Sequence, residues 1–168
     1  MLKKITLALL TVVLSLSALV GCDMKKIEAL EEGVATEAEV RAQWGEPAAT
    51  YPEENGAKTL EYPRQPEGQR NYMITVGTDG KMSALRQVLK NDSFAKVTPG
   101  LNKAQVRRML GRPGKTQIFA LKKDEEIWDW RYLDGAQGKV FSVTFDKDGL
   151  VVATGSILDP RENFMGGK

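Results

Sequence analysis

The chain of 168 residues has 24 Lys and Arg, 22 Asp and Glu, one Cys and no His, and 42% of it is hydrophobic. This length suits one medium domain or two small ones, and the missing His excludes Ser-His and Cys-His mechanisms. The single Cys excludes an internal disulfide or a Cys-rich metal site, and the net charge of +2 falls to zero when counted from Cys22 onward. The composition therefore predicts a globular, non-enzymatic protein with no cofactor, no metal site and no affinity for nucleic acid.

The first 22 residues have the pattern of a lipoprotein signal. A short basic start is followed by an uncharged apolar run over residues 5–20, which is shorter than the ~20 residues that cross a bilayer comfortably. The run ends in Leu19–Cys22, with the sequence LVGC, which resembles the bacterial lipobox. This resemblance predicts that residues 1–21 are a signal peptide and that Cys22 is lipidated, with palmitate among its acyl chains, and anchors the chain in a membrane. The alternative is an ordinary signal peptide with a chance Cys.

Asp23 follows the predicted lipidation site. In lipoproteins of enteric bacteria, an Asp at this position resembles the signal for retention in the inner membrane. We therefore expect a cell-envelope protein that faces the periplasm. The family resemblance described below favours the outer membrane, and Asp23 keeps the inner membrane as the alternative.

Two segments of the mature chain share one pattern at an offset of 66 residues. Thr36–Pro47 aligns with Asn102–Pro113, and each combines an N-cap residue, Glu or Gln three positions later, and a Gly-x-Pro stop. Each segment predicts a short helix with an apolar pair on its buried face: Val40 and Trp44 in the first, Val106 and Leu110 in the second.

Alternating strands are predicted after each helix. Leu60–Tyr62 corresponds to Trp130–Tyr132, Tyr72–Val76 to Phe141–Phe145, Asp79-Gly80 to Asp148-Gly149, and a third strand over Lys81–Leu89 to one over Leu150–Leu158. The pattern predicts an α+β fold of two tandem repeats, residues 22–93 and 94–160, with a flexible tail over residues 161–168. Each repeat has two helices packed on one face of a three-stranded antiparallel sheet. The charged residues 122–126 are expected to form a hairpin loop.

The predicted strand around Trp130 has two different faces. Trp128, Trp130 and Tyr132 alternate along it and are assigned to the core, with an aromatic binding stripe as the alternative. Asp129 and Arg131 then lie on the opposite face, which we expect to be polar, uncovered and able to dock a partner.

Charge divides unevenly between the two predicted repeats. Residues 22–93 hold nine basic and thirteen acidic side chains, and residues 94–168 hold thirteen basic and nine acidic ones. Complementarity between the repeats, complementarity with charged partners and evolutionary drift each fit this asymmetry. Because Arg107 and Arg108 make the second helix basic, the candidate partner-binding residues are Arg107, Arg108, Asp129 and Arg131.

A family resemblance rests on Val97–Pro113. This segment has the spacing Val-x-x-Gly-Leu-Asn, then Val106, then Leu-Gly-x-Pro, and it resembles the signature of the SmpA/OmlA family of BamE-type small outer-membrane lipoproteins. Leu101 and Asn102 replace the more usual Met and Thr, and a BamE-type protein has one such unit where this chain has two. The tandem arrangement is also similar in architecture to β-lactamase-inhibitor proteins, whose two helix-plus-sheet repeats form a concave binding face.

The resemblance implies a lipid-anchored envelope protein without catalytic activity. It would act as a protein-binding scaffold or accessory factor in outer-membrane protein assembly or envelope integrity, with the β-barrel assembly machinery as an expected partner. The alternative function is a periplasmic inhibitor-like or ligand-binding module that uses the concave sheet face.

Overall fold

The computed structural model describes residues 23–119 and 122–162. The predicted signal peptide, Cys22 and residues 163–168 of the predicted tail lie outside the described residues. Residues 23–28 are helical. The following helices and strands are α1 (Glu37–Trp44), β1 (Ala49–Pro52), β2 (Lys58–Pro63), β3 (Asn71–Val76), β4 (Met82–Gln87), α2 (Asn91–Phe94), α3 (Lys103–Leu110), β5 (Lys115–Phe119), β6 (Lys122–Asp134), β7 (Gln137–Phe145) and β8 (Val151–Leu158).

The strands form two antiparallel meanders, which we call the N-terminal sheet (β1–β4) and the C-terminal sheet (β5–β8). Each is four-stranded, in the order β1-β2-β3-β4 and β5-β6-β7-β8, so the prediction of three strands in each sheet is wrong. The missed strands, β1 and β5, both lie at a sheet edge. β1 has only four residues and ends in Pro52, which leaves too little alternation for a sequence pattern to reveal it.

The charged residues 122–126 form the start of β6, which corrects the prediction that they are a hairpin loop. Glu126 lies opposite Ile118 of β5, and its carboxylate accepts a hydrogen bond from Lys103 Nζ of α3 at 2.5 Å. This bond, which outweighs partial burial, lowers the pKa of Glu126. Pairing with β5 and the ion pair with α3 therefore fix a segment that composition alone assigns to solvent.

Both predicted capping boxes are confirmed. In α1, the Thr36 hydroxyl accepts a bond from the Glu39 backbone N–H, and the Glu39 carboxylate accepts one from the Thr36 N–H at 2.8 Å. In α3, Asn102 and Gln105 make the same reciprocal pair, both bonds at 2.9 Å. Each helix ends at a glycine with a positive φ, 80° at Gly45 and 76° at Gly111. Local sequence thus sets both ends of both helices.

Each capped helix packs on one face of its own sheet, as predicted. The N-terminal core contains Val40, Trp44, Leu60, Tyr62, Tyr72, Ile74 and Val76. The C-terminal core contains Val106, Leu110, Trp130, Tyr132, Phe141, Val143 and Phe145. Trp130 is completely buried and donates its indole N–H to the Gly111 carbonyl at 3.0 Å, so the assignment of this aromatic residue to the core is confirmed. Trp128 is partly buried against the same core.

Candidate protein-binding site

The structure places the four predicted partner-binding residues in two different surroundings. Arg107 and Arg108 lie on α3 and contact the N-terminal sheet. Asp129 and Arg131 lie on β6, on the side opposite the buried Trp130. The four side chains therefore do not form a single cluster.

Glu61 of β2 is the centre of the contact between α3 and the N-terminal sheet. Its side chain is completely buried and accepts hydrogen bonds from Arg107 Nε at 3.3 Å, Tyr51 Oη at 2.5 Å and the Arg112 backbone N–H at 2.8 Å. A buried carboxylate requires such partners, because an unpaired charge in the interior is strongly unfavourable. Burial, together with the bond to Glu61, raises the pKa of Tyr51 to about 12. Burial lowers the pKa of Arg107, but the bond to Glu61 outweighs it and raises the pKa overall.

Arg108 extends this contact at the surface. Its Nη2 donates to a Glu53 carboxylate oxygen at 2.8 Å and to the Pro52 carbonyl at 2.6 Å. The basic α3 therefore meets acidic side chains of the N-terminal sheet within the same chain. The sequence left several explanations open for the charge asymmetry. These contacts show one of them, which is complementarity between the two parts of the chain. Binding of a separate partner by Arg107 and Arg108 stays a prediction.

Asn71 of β3 joins the N-terminal sheet to the end of α3. Its buried amide donates to the Leu110 carbonyl at 2.8 Å and to the Arg112 carbonyl at 3.1 Å, and it accepts from the Arg64 backbone N–H at 3.1 Å. It thereby satisfies a carbonyl that the end of a helix leaves without an intrahelical partner. Gly111 lies against this amide, and an added Cβ would be 2.9 Å from Asn71 Nδ2. The sequence offered no signal for the role of Asn71.

Arg131 connects the C-terminal sheet to the loop after β2. Its Nε donates to the buried Asp159 at 2.5 Å, and its Nη1 donates to the Glu67 carbonyl at 3.2 Å. The Gln65 side chain donates to the Arg131 carbonyl at 2.7 Å. Burial raises the pKa of Asp159, but hydrogen bonds from the Arg161 backbone and from Arg131 outweigh it and hold the pKa below its usual value. Arg131 therefore links the C-terminal sheet to the loop after β2, and only 18% of its side chain is exposed.

The face of the C-terminal sheet that points away from α3 is the candidate site, and we call it the open face. Asp129 lies within it and accepts bonds from Ser142 Oγ at 2.6 Å and Gln117 Nε2 at 3.0 Å. The prediction of a polar face is incomplete, because Val140 and Ile157 lie beside Arg131 in the strand register and 61% of Ile157 is exposed. The mixed lining encloses a cavity of about 450 Å³ over Ile127, Asp129, Arg131, Val140, Ser142 and Ile157.

The alternation that assigned Trp130 and Tyr132 to the core also carries a signal for the apolar part of this face. Ile127 has the same parity as Asp129 on β6, and Val140 has the same parity as Ser142 on β7. Following the alternation two residues back from Asp129 and from Ser142 would have identified both.

In the described ranges, no helix has the length and apolar character needed to span a membrane. Over the same ranges, no three Asp, Glu, Cys or His side chains are grouped in a way that could hold a metal ion.

The fold and the open face together define a small α+β domain in which a capped helix crosses a four-stranded meander. Residues 87–155 match the family model described as the outer membrane protein assembly factor BamE domain. The resemblance predicted from Val97–Pro113 is therefore confirmed as a match of this part of the chain to the BamE family model. A search of curated protein sequences finds no match.

Two solved structures are similar to parts of the chain. One is described as an osmotically inducible lipoprotein, OsmE; it is 24% identical over 46% of this chain and 82% of its own, with a TM-score of 0.38. The other is a DUF4309 family protein, YjgB, from Bacillus subtilis; it is 18% identical over 77% of this chain and 82% of its own, with a TM-score of 0.30.

Proposed function

We propose that the chain is a lipid-anchored envelope protein that binds another protein and assists outer-membrane protein assembly or envelope integrity, without catalysis of its own. The observation that carries this proposal is the BamE-domain match over residues 87–155, combined with an open face of mixed chemistry in the same segment. A face that combines accessible apolar side chains with paired polar ones has the usual composition of a surface that binds protein.

We further propose that the two sheets arose as tandem copies, over residues 22–93 and 94–160. Support comes from the shared strand order and from the matching capping boxes. Isolated bridges also occupy corresponding positions, Thr36 with Lys81 and Asn102 with Leu150. The copies then differ in what covers the outer face of each sheet.

This difference suggests where a partner binds. The outer face of the N-terminal sheet is covered by α3, through Glu61 and Asn71. By the repeat alignment, Glu61 corresponds to Arg131, which lies on the open face of the C-terminal sheet. We therefore assign partner binding to the open face, with Asp129 and Arg131 at its polar positions, and assign Arg107 and Arg108 to the contact within the chain.

The membrane attachment is also proposed, with Cys22 as the lipidated residue and the outer membrane as the favoured location. Asp23 bonds Arg64 through both carboxylate oxygens at 2.9–3.2 Å, and 14% of its side chain is exposed. The Arg64 guanidinium in turn lies 4.9 Å from the centre of the Trp44 ring. Because Asp23 is the residue after Cys22, the anchor would join the folded domain with no linker between them.

Capture of partners from detergent-solubilised membranes tests the proposal. The informative variant carries Ile127→Lys and Val140→Lys, which places two charges on the open face. The matched control is Asp148→Lys, an exposed turn residue of the same sheet. We expect the parent and the control to retain subunits of the β-barrel assembly machinery and the double variant to lose them. Equal capture by all three chains would contradict use of the open face, and recovery of a soluble periplasmic enzyme would favour the inhibitor-like alternative.

A further inference from the structure

The last strand of the C-terminal sheet presents an unusual edge. β8 is at the end of the strand order, and among the described residues no strand pairs with its outer side. Its sequence, VVATGSIL, has no charged residue and no proline, and residues 152–158 are all exposed. The exposed fraction is 47% for Val152, 61% for Ile157 and 51% for Leu158. Long, uncharged, apolar edges of this kind are templates for pairing with another strand.

The strand register shows which backbone groups point outward. Asp159 donates its backbone N–H to the Gly138 carbonyl at 3.0 Å, and the same register pairs Val140 with Ile157 and Ser142 with Gly155. Because hydrogen-bonded pairs recur at every second residue, Ala153, Gly155 and Ile157 bond to β7; the register shift opposite Thr144 and Phe145 breaks this alternation before Ala153. Thr154, Ser156 and Leu158 therefore direct their N–H and C=O groups away from the sheet. On the other side of the shift, the outward groups of Val151 are already bonded to Leu101 and Gly100.

The corresponding edge of the N-terminal sheet is closed. On β4, the outward N–H of Leu85 is bonded to the Glu32 carboxylate at 2.8 Å, and Gly33 donates to the Met82 carbonyl at 2.7 Å. β4 is also shorter and carries Arg86. A charged side chain at an edge is a common protection against strand addition.

The C-terminal sheet lacks this protection. Gly100 donates to the Val151 carbonyl at 2.9 Å, as Gly33 does to Met82, so Pro99 takes the position that Glu32 has in the N-terminal sheet. Proline has no side-chain acceptor for an outward N–H on the strand. The two edges of this one molecule therefore differ in the side-chain acceptor that occupies an outward N–H, in strand length and in edge charge.

We propose that β8 pairs antiparallel with β8 of a second copy of this chain, about a two-fold axis at Gly155. This register is self-complementary: Thr154 lies opposite Ser156, and Ala153 lies opposite Ile157. Apolar side chains lie opposite apolar ones, hydroxyl side chains lie opposite hydroxyl ones, and no like charges face each other. A register centred on Thr154 would instead place Ala153 opposite Gly155. The proposed pairing joins two C-terminal sheets into one eight-stranded sheet, with their open faces side by side.

Covalent trapping tests the register. At the two-fold axis, Gly155 faces its own copy as a non-hydrogen-bonded pair, whose Cα atoms are about 4.5 Å apart, within the range of a disulfide. An added side chain at Gly155 has open space around it. We expect the full-length Gly155→Cys chain to form a disulfide-linked dimer under mild oxidation. Ala153→Cys, which would face Ile157, should not do so, and the parent, which keeps Cys22, measures the background.

The equilibrium measurement uses the full-length protein in detergent micelles and determines the dimer dissociation constant by sedimentation. Thr154→Lys should raise that constant by about tenfold or more, because it brings a charge to the edge pair with Ser156. Ser83→Lys, an exposed residue of the closed β4 edge, should leave it unchanged. A monomeric parent, an unchanged constant in Thr154→Lys, or equal crosslinking at positions 153 and 155 would each overturn the proposal. So would strand addition by a different protein with no homodimer.

Discussion

Replacement of Glu61 by Gln tests the buried contact between α3 and the N-terminal sheet. The change keeps the size of the side chain and removes its charge. In the parent, one carboxylate oxygen accepts from Tyr51 and from Arg107 Nε, and the other accepts from the Arg112 backbone. Because an amide has only one oxygen, its NH₂ group must face one of these donors.

The size of the effect follows from the burial of Glu61, whose side chain has no exposed surface. Hydrogen bonds to a charged group contribute about 1.5–3 kcal/mol, and a buried donor left unpaired costs about 1–3 kcal/mol. The Tyr51 hydroxyl can rotate to accept from the new amide, which recovers part of the loss. We therefore expect the free energy of unfolding to fall by about 2–3 kcal/mol.

Urea denaturation of the parent and the variant measures this difference. Glu53→Gln is the matched control, because Glu53 also pairs with an arginine of α3 but 33% of its side chain is exposed. An exposed pair contributes about 0–1 kcal/mol, so the control should unfold close to the parent. If Glu61→Gln is no less stable than Glu53→Gln, the assignment of a buried, structural carboxylate at this contact is refuted.

Three further predictions concern other parts of the molecule. Since the pKa of Tyr51 rises to about 12 in the folded state, the free energy of unfolding should hold up to about pH 10 and then fall as the pH approaches 12; Tyr51→Phe should weaken this fall in alkaline denaturation curves. Gly111→Ala should destabilise by more than Gly45→Ala in the same denaturation assay: both glycines have a positive φ, but only Gly111 also lies against Asn71, so equal losses would argue against that contact. Cys22→Ser should abolish incorporation of labelled fatty acid, and a shift of Asp23→Ser from the inner to the outer membrane on fractionation would show that Asp23 decides location.

The sequence by itself determined the local features of this protein. Thr36 and Asn102 identify the helix starts, and Gly45 and Gly111 identify the ends, because capping depends on residues three or four positions apart. The alternation around Trp130 likewise identified the buried face of β6, since the period of a strand is a local property.

Only the tertiary structure decided which surfaces stay exposed. The sequence showed that α3 is basic, but not that Glu61, 46 residues before Arg107, supplies the opposite charge. It likewise gave no sign that Asn71 satisfies the end of α3, or that pairing with β5 turns a charged segment into a strand. These outcomes depend on which distant segment packs against each face, and a side chain becomes buried or free only when that packing is complete.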